Sequence, residues 1–190
     1  MMATTINFEF RNQLLKDHAS FSLTYCYQCG TCSGGCPVAK ETGGLYNPRR
    51  LIEKSLLGLK EKLIKDPVLW QCTLCDTCDE ACPQHVDLTE IFGVLKNLAV
   101  SEGYVPQAYK LQSTTVFDNG ISIPFQDAIL RRRSKDLGLE EDLAENISIP
   151  LDEVQALMAS TGFSKIIEDF KKQLEESKGS QAEEAGPAEE

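Results

Sequence analysis

Eight cysteines lie between Cys26 and Cys82, and they are the only cysteines in a chain of 190 residues. They fall into two runs of identical spacing. Cys26, Cys29, Cys32 and Cys36 read C-x-x-C-x-x-C-x-x-x-C and are followed by Pro37; Cys72, Cys75, Cys78 and Cys82 repeat the spacing and are followed by Pro83. Three thiols two residues apart can share one tight loop and face one centre. The fourth, after a longer step, must point elsewhere, and the proline behind it removes a backbone donor and turns the chain away.

This spacing is the one that binds [4Fe–4S] cubanes in bacterial two-cluster ferredoxins, where the fourth cysteine of each run ligates the other cluster. The expected ligand sets are therefore Cys26, Cys29, Cys32 and Cys82 for cluster 1, and Cys72, Cys75, Cys78 and Cys36 for cluster 2. Structural zinc also uses four cysteines, but its ligands come as two C-x-x-C pairs separated by a longer loop. A disulfide framework would need an oxidising compartment. Both stand as competing readings, with a zinc-stabilised interaction module as the alternative outside electron transfer.

The residues around the thiols bear on how a cluster would be tuned. Gln28, Gly30, Thr31, Ser33, Gly34 and Gly35 are small or polar and let donors approach the sulfurs. Asp76, Asp79 and Glu80 in the second loop are expected to face solvent. Tyr25, Tyr27 and Trp70 flank the loops and are expected to keep water away. His85 reads as a surface histidine.

Helical signals dominate the remainder. A helix is expected from Phe8 to about Asp17. Asn47-Pro48 is a helix start, with Ile52, Leu56, Leu59 and Leu63 on one face. Asp66-Pro67 starts a short helix ending near Trp70. Asp87 with Glu90 makes a capping-box start ahead of Leu88, Ile91, Phe92, Leu95 and Ala99. Residues 105–116 read as helical, Asp118-Asn119-Gly120 as a turn, and the alternation of Ile121 and Ile123 allows a hairpin. Leu151, Val154 and Met158 mark one late helix; Phe163, Ile166, Ile167, Phe170 and Leu174 mark another, its apolar stripe read as a partner contact. Arg131, Arg132, Arg133 and Lys135 form the only basic run, a solvated helix face or a patch for an acidic partner. The resulting expectation is an all-α fold. An N-terminal helical segment (1–20) precedes an α-helical domain with the eight cysteines (21–101), then a helical extension for partner contacts (102–178) and a disordered acidic tail (179–190).

Composition and missing motifs narrow the function. Lys plus Arg number 19 against 29 for Asp plus Glu, a net charge of −10, which gives no basic excess for nucleic acid. No apolar run of membrane-spanning length occurs, and the N-terminus lacks a signal peptide, which places the chain in the cytoplasm. No G-x-G, P-loop or G-x-S-x-G is found, and every cysteine has a role in the cluster reading. The chain is thus expected to carry electrons within a larger complex, with no catalytic residue of its own.

The segment Tyr25-Cys26-Tyr27-Gln28-Cys29-Gly30-Thr31-Cys32-Ser33-Gly34-Gly35-Cys36-Pro37 resembles the C subunit of archaeal heterodisulfide reductase. So do Asn47-Pro48-Arg49-Arg50 and Trp70-Gln71-Cys72-Thr73-Leu74-Cys75-Asp76-Thr77-Cys78, and the likeness covers roughly residues 20–100. The resemblance implies an α-helical ferredoxin fold with two [4Fe–4S] clusters held by the eight cysteines. It implies a relay from a flavin- and iron–sulfur-bearing A subunit to a catalytic B subunit with Cys-Cys-Gly motifs. The B subunit reduces the coenzyme M–coenzyme B heterodisulfide of methanogenesis, and a hydrogenase or formate dehydrogenase is implied in the larger complex. The cysteine spacing alone is also shared by relay subunits of succinate, glycolate and glycerol-phosphate dehydrogenases.

Overall fold

The computed structural model describes residues 5–16, 18–122, 127–139 and 150–184. Among them every regular element is a helix and no strand occurs. No helix is long and apolar enough to cross a membrane, again among the described residues. The chain divides into two compact units, Met1–Val105 and Pro106–Glu190.

The first unit begins with α1 (Phe8–Lys16). The Asn7 side chain caps it by accepting from the Phe10 N–H at 2.9 Å. A 3-10 helix (His18–Tyr25) leads into the first cysteine loop, which closes in α2 (Thr31–Gly35) and α3 (Pro37–Glu41). α4 (Pro48–Leu56) starts where the sequence signals it. Proline occupies the first turn, where its missing donor costs nothing, and the Asn47 side chain accepts from the Arg50 N–H at 3.1 Å.

The face carrying Ile52, Leu56, Leu59 and Leu63 does not belong to one helix, contrary to what the spacing suggests. α4 stops at Gly58 (φ +66), and a second helix, α5 (Lys60–Ile64), follows. The break is a Schellman turn: the Leu59 N–H donates to the Lys54 carbonyl at 2.9 Å and the Gly58 N–H to that of Ser55 at 3.1 Å. Another 3-10 helix (Pro67–Gln71) leads to the second cysteine loop, α6 (Thr77–Glu80) and the long α7 (Leu88–Ser101). Asp66 caps the 3-10 helix by accepting from the Val68 N–H.

The core of this unit gathers Phe10, Leu14, Leu23, Tyr46, Leu51, Ile52, Leu63, Ile64, Leu69, Ile91, Phe92 and Leu95, all essentially out of water. Cys36, Cys72 and Cys78 belong to the same cluster. The apolar interior therefore extends to the cysteine loops, and burying it helps to hold them.

In the second unit, α8 (Gln107–Asn119), α10 (Leu151–Ser160) and α11 (Phe163–Glu184) pack against one another. Between α8 and α10 in sequence lies α9 (Asp127–Leu137). Asp118-Asn119-Gly120 is the end of α8, where Gly120 takes φ +71. The hairpin suggested beyond it has no strand at Ile121, and Ile123 lies outside the described residues. The stripe on α11 is covered from within: Ile167, Phe170 and Leu174 are buried, and Lys110 on α8 donates to Gln173 on α11. α9 presents Arg131, Arg132 and Lys135 to solvent, and Arg132 pairs with Asp136 one turn on. α11 runs on through Gly179 to Glu184, past the point where the composition suggests that an acidic tail begins. Gln181, Ala182, Glu183 and Glu184 are good helix formers, so extending an existing helix costs little. Residues 185–190 lie outside the described residues.

Candidate metal centres

The two cysteine loops share one backbone conformation. In each, the residue before the second cysteine and the residue after it take positive φ: Gln28 (+63) and Gly30 (+86) in the first, Leu74 (+53) and Asp76 (+59) in the second. For Leu74 this is the costly left-handed region, worth about 1–2 kcal/mol of strain. The repeated reversal curls each chain around a centre, and the second left-handed residue sits at the N-terminus of a one-turn helix, α2 or α6. These two helices pack side by side, so closely that a Cβ built on Gly35 would lie 3.9 Å from that of Ala81.

A single helical turn then separates the third cysteine of each run from the fourth. Cys26, Cys29, Cys32 and Cys82 line one cavity, together with Tyr27, Gln28 and Arg49. Cys36, Cys72, Cys75 and Cys78 line another, with Tyr46, Thr77 and Thr89. Cys29 and Cys75 are the exposed members; Cys36, Cys72 and Cys78 are buried, and none is in a disulfide.

The donors around the sulfurs suit thiolate ligands. The Thr31 hydroxyl lies 3.2 Å from Cys29 Sγ, and the Thr77 hydroxyl repeats the contact at Cys75, 3.4 Å. In both cases that hydroxyl is the main reason the thiol sits below the ordinary cysteine range. The Gln28 amide donates to Cys26 at 3.3 Å, and backbone N–H groups of Ala39 and Val86 donate to Cys36 and Cys82, both at 3.4 Å. Cys36 thus caps α3, and its proline starts a helix instead of merely deflecting the chain. Cys32 is raised by burial, and Cys78 is pushed up to about 12 by burial and by the neighbouring Asp79 carboxylate.

These residues fit an inorganic cluster better than a lone ion. Among the described residues, no three His, Cys, Asp or Glu side chains converge on a point where one ion would sit. A zinc ion needs four ligands within about 2.3 Å of its centre, a convergence that neither quartet shows among the described residues.

The flanking residues depart from expectation. Tyr25 (52% exposed) and Tyr27 (58%) lie open to solvent and shield little, though the Tyr27 hydroxyl faces the Cys29 sulfur. The buried aromatic at the second cavity is Tyr46. Burial, with the Cys72 sulfur beside it, drives its hydroxyl well above the ordinary phenol range. A sequence signal for it existed: Tyr46 and Leu51 flank the Asn47 cap at the two positions that form a hydrophobic staple. Lys96 is the second residue missed; its ammonium donates to the Cys72 carbonyl at 2.7 Å and lies 5.8 Å from the Trp70 ring centre. His85 is exposed, with φ +50.

Asp76 and Glu80 face solvent as expected, but Asp79 does not. It accepts from the Thr89 N–H at 3.1 and 3.3 Å and so caps α7. Asp87, which the capping-box pattern nominated, makes no side-chain cap; its own N–H donates to Ser22 Oγ at 3.0 Å. We predict that Asp79→Ala costs about 1 kcal/mol of stability, in the range of a lost N-cap. Asp79→Asn should recover most of that, and Asp87→Ala should cost under about 0.5 kcal/mol, the usual limit for a surface change. Urea midpoints measured anaerobically check the order; equal losses at 79 and 87 would refute it.

Residues 22–86 match the family described as a 4Fe-4S dicluster domain. Over 158 residues the chain is 37% identical to the C subunit of the H(2):CoB-CoM heterodisulfide,ferredoxin reductase of Methanothermobacter thermautotrophicus, covering 82% of this chain and 84% of the relative. It is 35% identical over 161 residues to the iron-sulfur C subunit of the CoB–CoM heterodisulfide reductase of Methanopyrus kandleri, with 84% and 82% covered. A third relative, the C2 subunit of the H(2)/formate:CoB-CoM heterodisulfide,ferredoxin reductase of Methanococcus maripaludis, is 34% identical over 176 residues, with 88% and 94% covered.

Proposed function

Because the chain belongs to the family of heterodisulfide reductase iron–sulfur C subunits, we propose that it passes electrons from a flavin-containing A subunit to a catalytic B subunit, which reduces the coenzyme M–coenzyme B heterodisulfide. The chain is an iron–sulfur electron carrier with two [4Fe–4S] clusters. The observation that carries the relay reading is the pair of adjacent thiol quartets on packed helices. Each cluster, when bound, takes up and gives back one electron. The protein's own part is to fix eight sulfurs, offer them hydroxyl and N–H donors, and hold the two centres side by side.

Cys26, Cys29, Cys32 and Cys82 are proposed as ligands of cluster 1, and Cys72, Cys75, Cys78 and Cys36 as ligands of cluster 2. The shared lining of each cavity supports this division. A hydrogenase or formate dehydrogenase upstream is supported by relatives whose names include H(2) and formate. Eight thiols outside disulfides suit a reducing compartment, which supports the cytoplasm.

Anaerobic purification of the native complex tests the reading. Two cubanes demand about eight irons per chain and a brown colour, and a protein with Cys-Cys-Gly motifs should co-purify. Two zincs without colour would end the electron-transfer account. Co-purification with a succinate or glycolate dehydrogenase instead would keep the relay and replace its partners.

A further inference from the structure

Lys96 sits on α7, a helix that otherwise turns Leu88, Ile91, Phe92, Leu95 and Ala99 into the core. Its ammonium is half-buried, donates to the carbonyl of Cys72, and lies over Trp70. Among the described residues no carboxylate forms an ion pair with it; the ion pairs in this unit join Lys54 to Asp66, Lys60 to Glu102 and Lys65 to Glu61. Asp79, beside Cys78, is engaged at the start of α7. A partly desolvated cation without an acidic partner is costly. Burial pulls the Lys96 ammonium below the ordinary lysine range, and the neighbouring Cys72 sulfur offsets part of that.

We propose that Lys96 is a positioning residue for electron uptake at the second quartet: its fixed positive charge, held against Cys72, stabilises the reduced state of the cluster held by Cys36, Cys72, Cys75 and Cys78. The inference rests on the cluster assignment proposed above. Reduction adds one negative charge to the cluster, and net charge and hydrogen bonding near the sulfurs set the potential of such centres. In a partly water-excluded site a nearby unit charge acts far more strongly than in bulk water. Lys96 contacts the second loop at Cys72, whereas Arg49 is the cation on the wall of the first cavity, so the effect of Lys96 is expected mainly at the second centre.

The alternative is a structural tie between α7 and the second loop, made by the same hydrogen bond. Three substitutions in the full-length, cluster-loaded chain separate the two: Lys96→Gln keeps an N–H donor without charge, Lys96→Arg keeps the charge, and Lys96→Met keeps neither. The readout is a redox titration followed by electron paramagnetic resonance, with Cys75→Ser identifying the signal of the second quartet. Lys96→Gln and Lys96→Met should each lower the reduction equilibrium constant of that cluster at least tenfold, which is about 59 mV for a one-electron couple. The other cluster should stay within about twofold, and Lys96→Arg should leave both near wild type. A Gln variant at the wild-type potential, or an Arg variant shifted as far as Met, would overturn the proposal. Should Lys96→Met fail to fold, the Gln and Arg pair decides alone. A wild-type chain without iron would instead remove the cluster assignment on which the inference stands.

Discussion

Replacing Cys36 by serine should empty or degrade the cluster of the second loop and spare that of the first. In sequence Cys36 belongs with Cys26, Cys29 and Cys32, and a reading by proximity would send the damage to the first cluster. The helix between them argues otherwise. α2 carries Cys32 in its first turn and ends at Gly35, so Cys36 stands one turn further along the axis. That is about 6 Å at 1.5 Å per residue, enough to take its sulfur from one cavity to the next. Its neighbours there are Cys72, Cys75, Cys78 and the buried Tyr46. The reciprocal change, Cys82→Ser, should strike the first cluster. Iron in either variant should fall from about eight toward about four per chain, the content of a single cubane. Paramagnetic resonance of the reduced proteins would show which signal is lost. Loss confined to the first cluster in Cys36→Ser would refute the crossed assignment.

The features legible in the sequence are those written into a few consecutive residues. The repeated cysteine spacing forces two matching loops, and the same left-handed reversals appear in both, at Gln28 and Gly30 and again at Leu74 and Asp76. Asn47-Pro48 and Asp66-Pro67 start helices because cap and proline act within one turn. The α7 stripe is buried because a 3.6-residue period needs only one neighbouring surface.

What escapes such a reading depends on residues far apart in the chain. The cap of α7 passes from Asp87 to Asp79 because the second loop delivers a carboxylate to the Thr89 N–H, while Ser22, 65 positions away from Asp87, holds the Asp87 N–H. The α11 stripe satisfies itself on α8 within its own unit, which no periodicity could disclose. Lys96 reads in sequence as an interruption of an apolar run; only the fold brings it to the Cys72 carbonyl.

Gly58 is the clearest such case, and its replacement by alanine should be among the most damaging single-methyl additions to the chain. Two penalties combine. Its φ of +66 lies where a Cβ costs about 1–2 kcal/mol. A Cβ there would also stand 2.4 Å from the Asn7 carbonyl oxygen and 3.0 Å from its carbon, both backbone atoms with no rotamer to yield. Overpacking of that kind adds about 1–3 kcal/mol. The contact also includes the hydrogen bond from the Asn7 N–H to the Gly58 carbonyl, 2.9 Å. Asn7 in turn caps α1, which carries Phe10 and Leu14 into the core. Relief by backing Asn7 away would therefore loosen α1 as well. A loss of about 2–5 kcal/mol is expected from the two penalties together. Gly103→Ala isolates the first of them: φ there is +80, but nothing lies within 4 Å of its added Cβ. It should cost only about 1–2 kcal/mol. Urea unfolding of the two variants, with hydrogen exchange at the α1 amides, measures the difference. Equal losses at 58 and 103, with α1 still protected, would show that the glycine is required for its dihedral angle and not for the docking of the N-terminal helix.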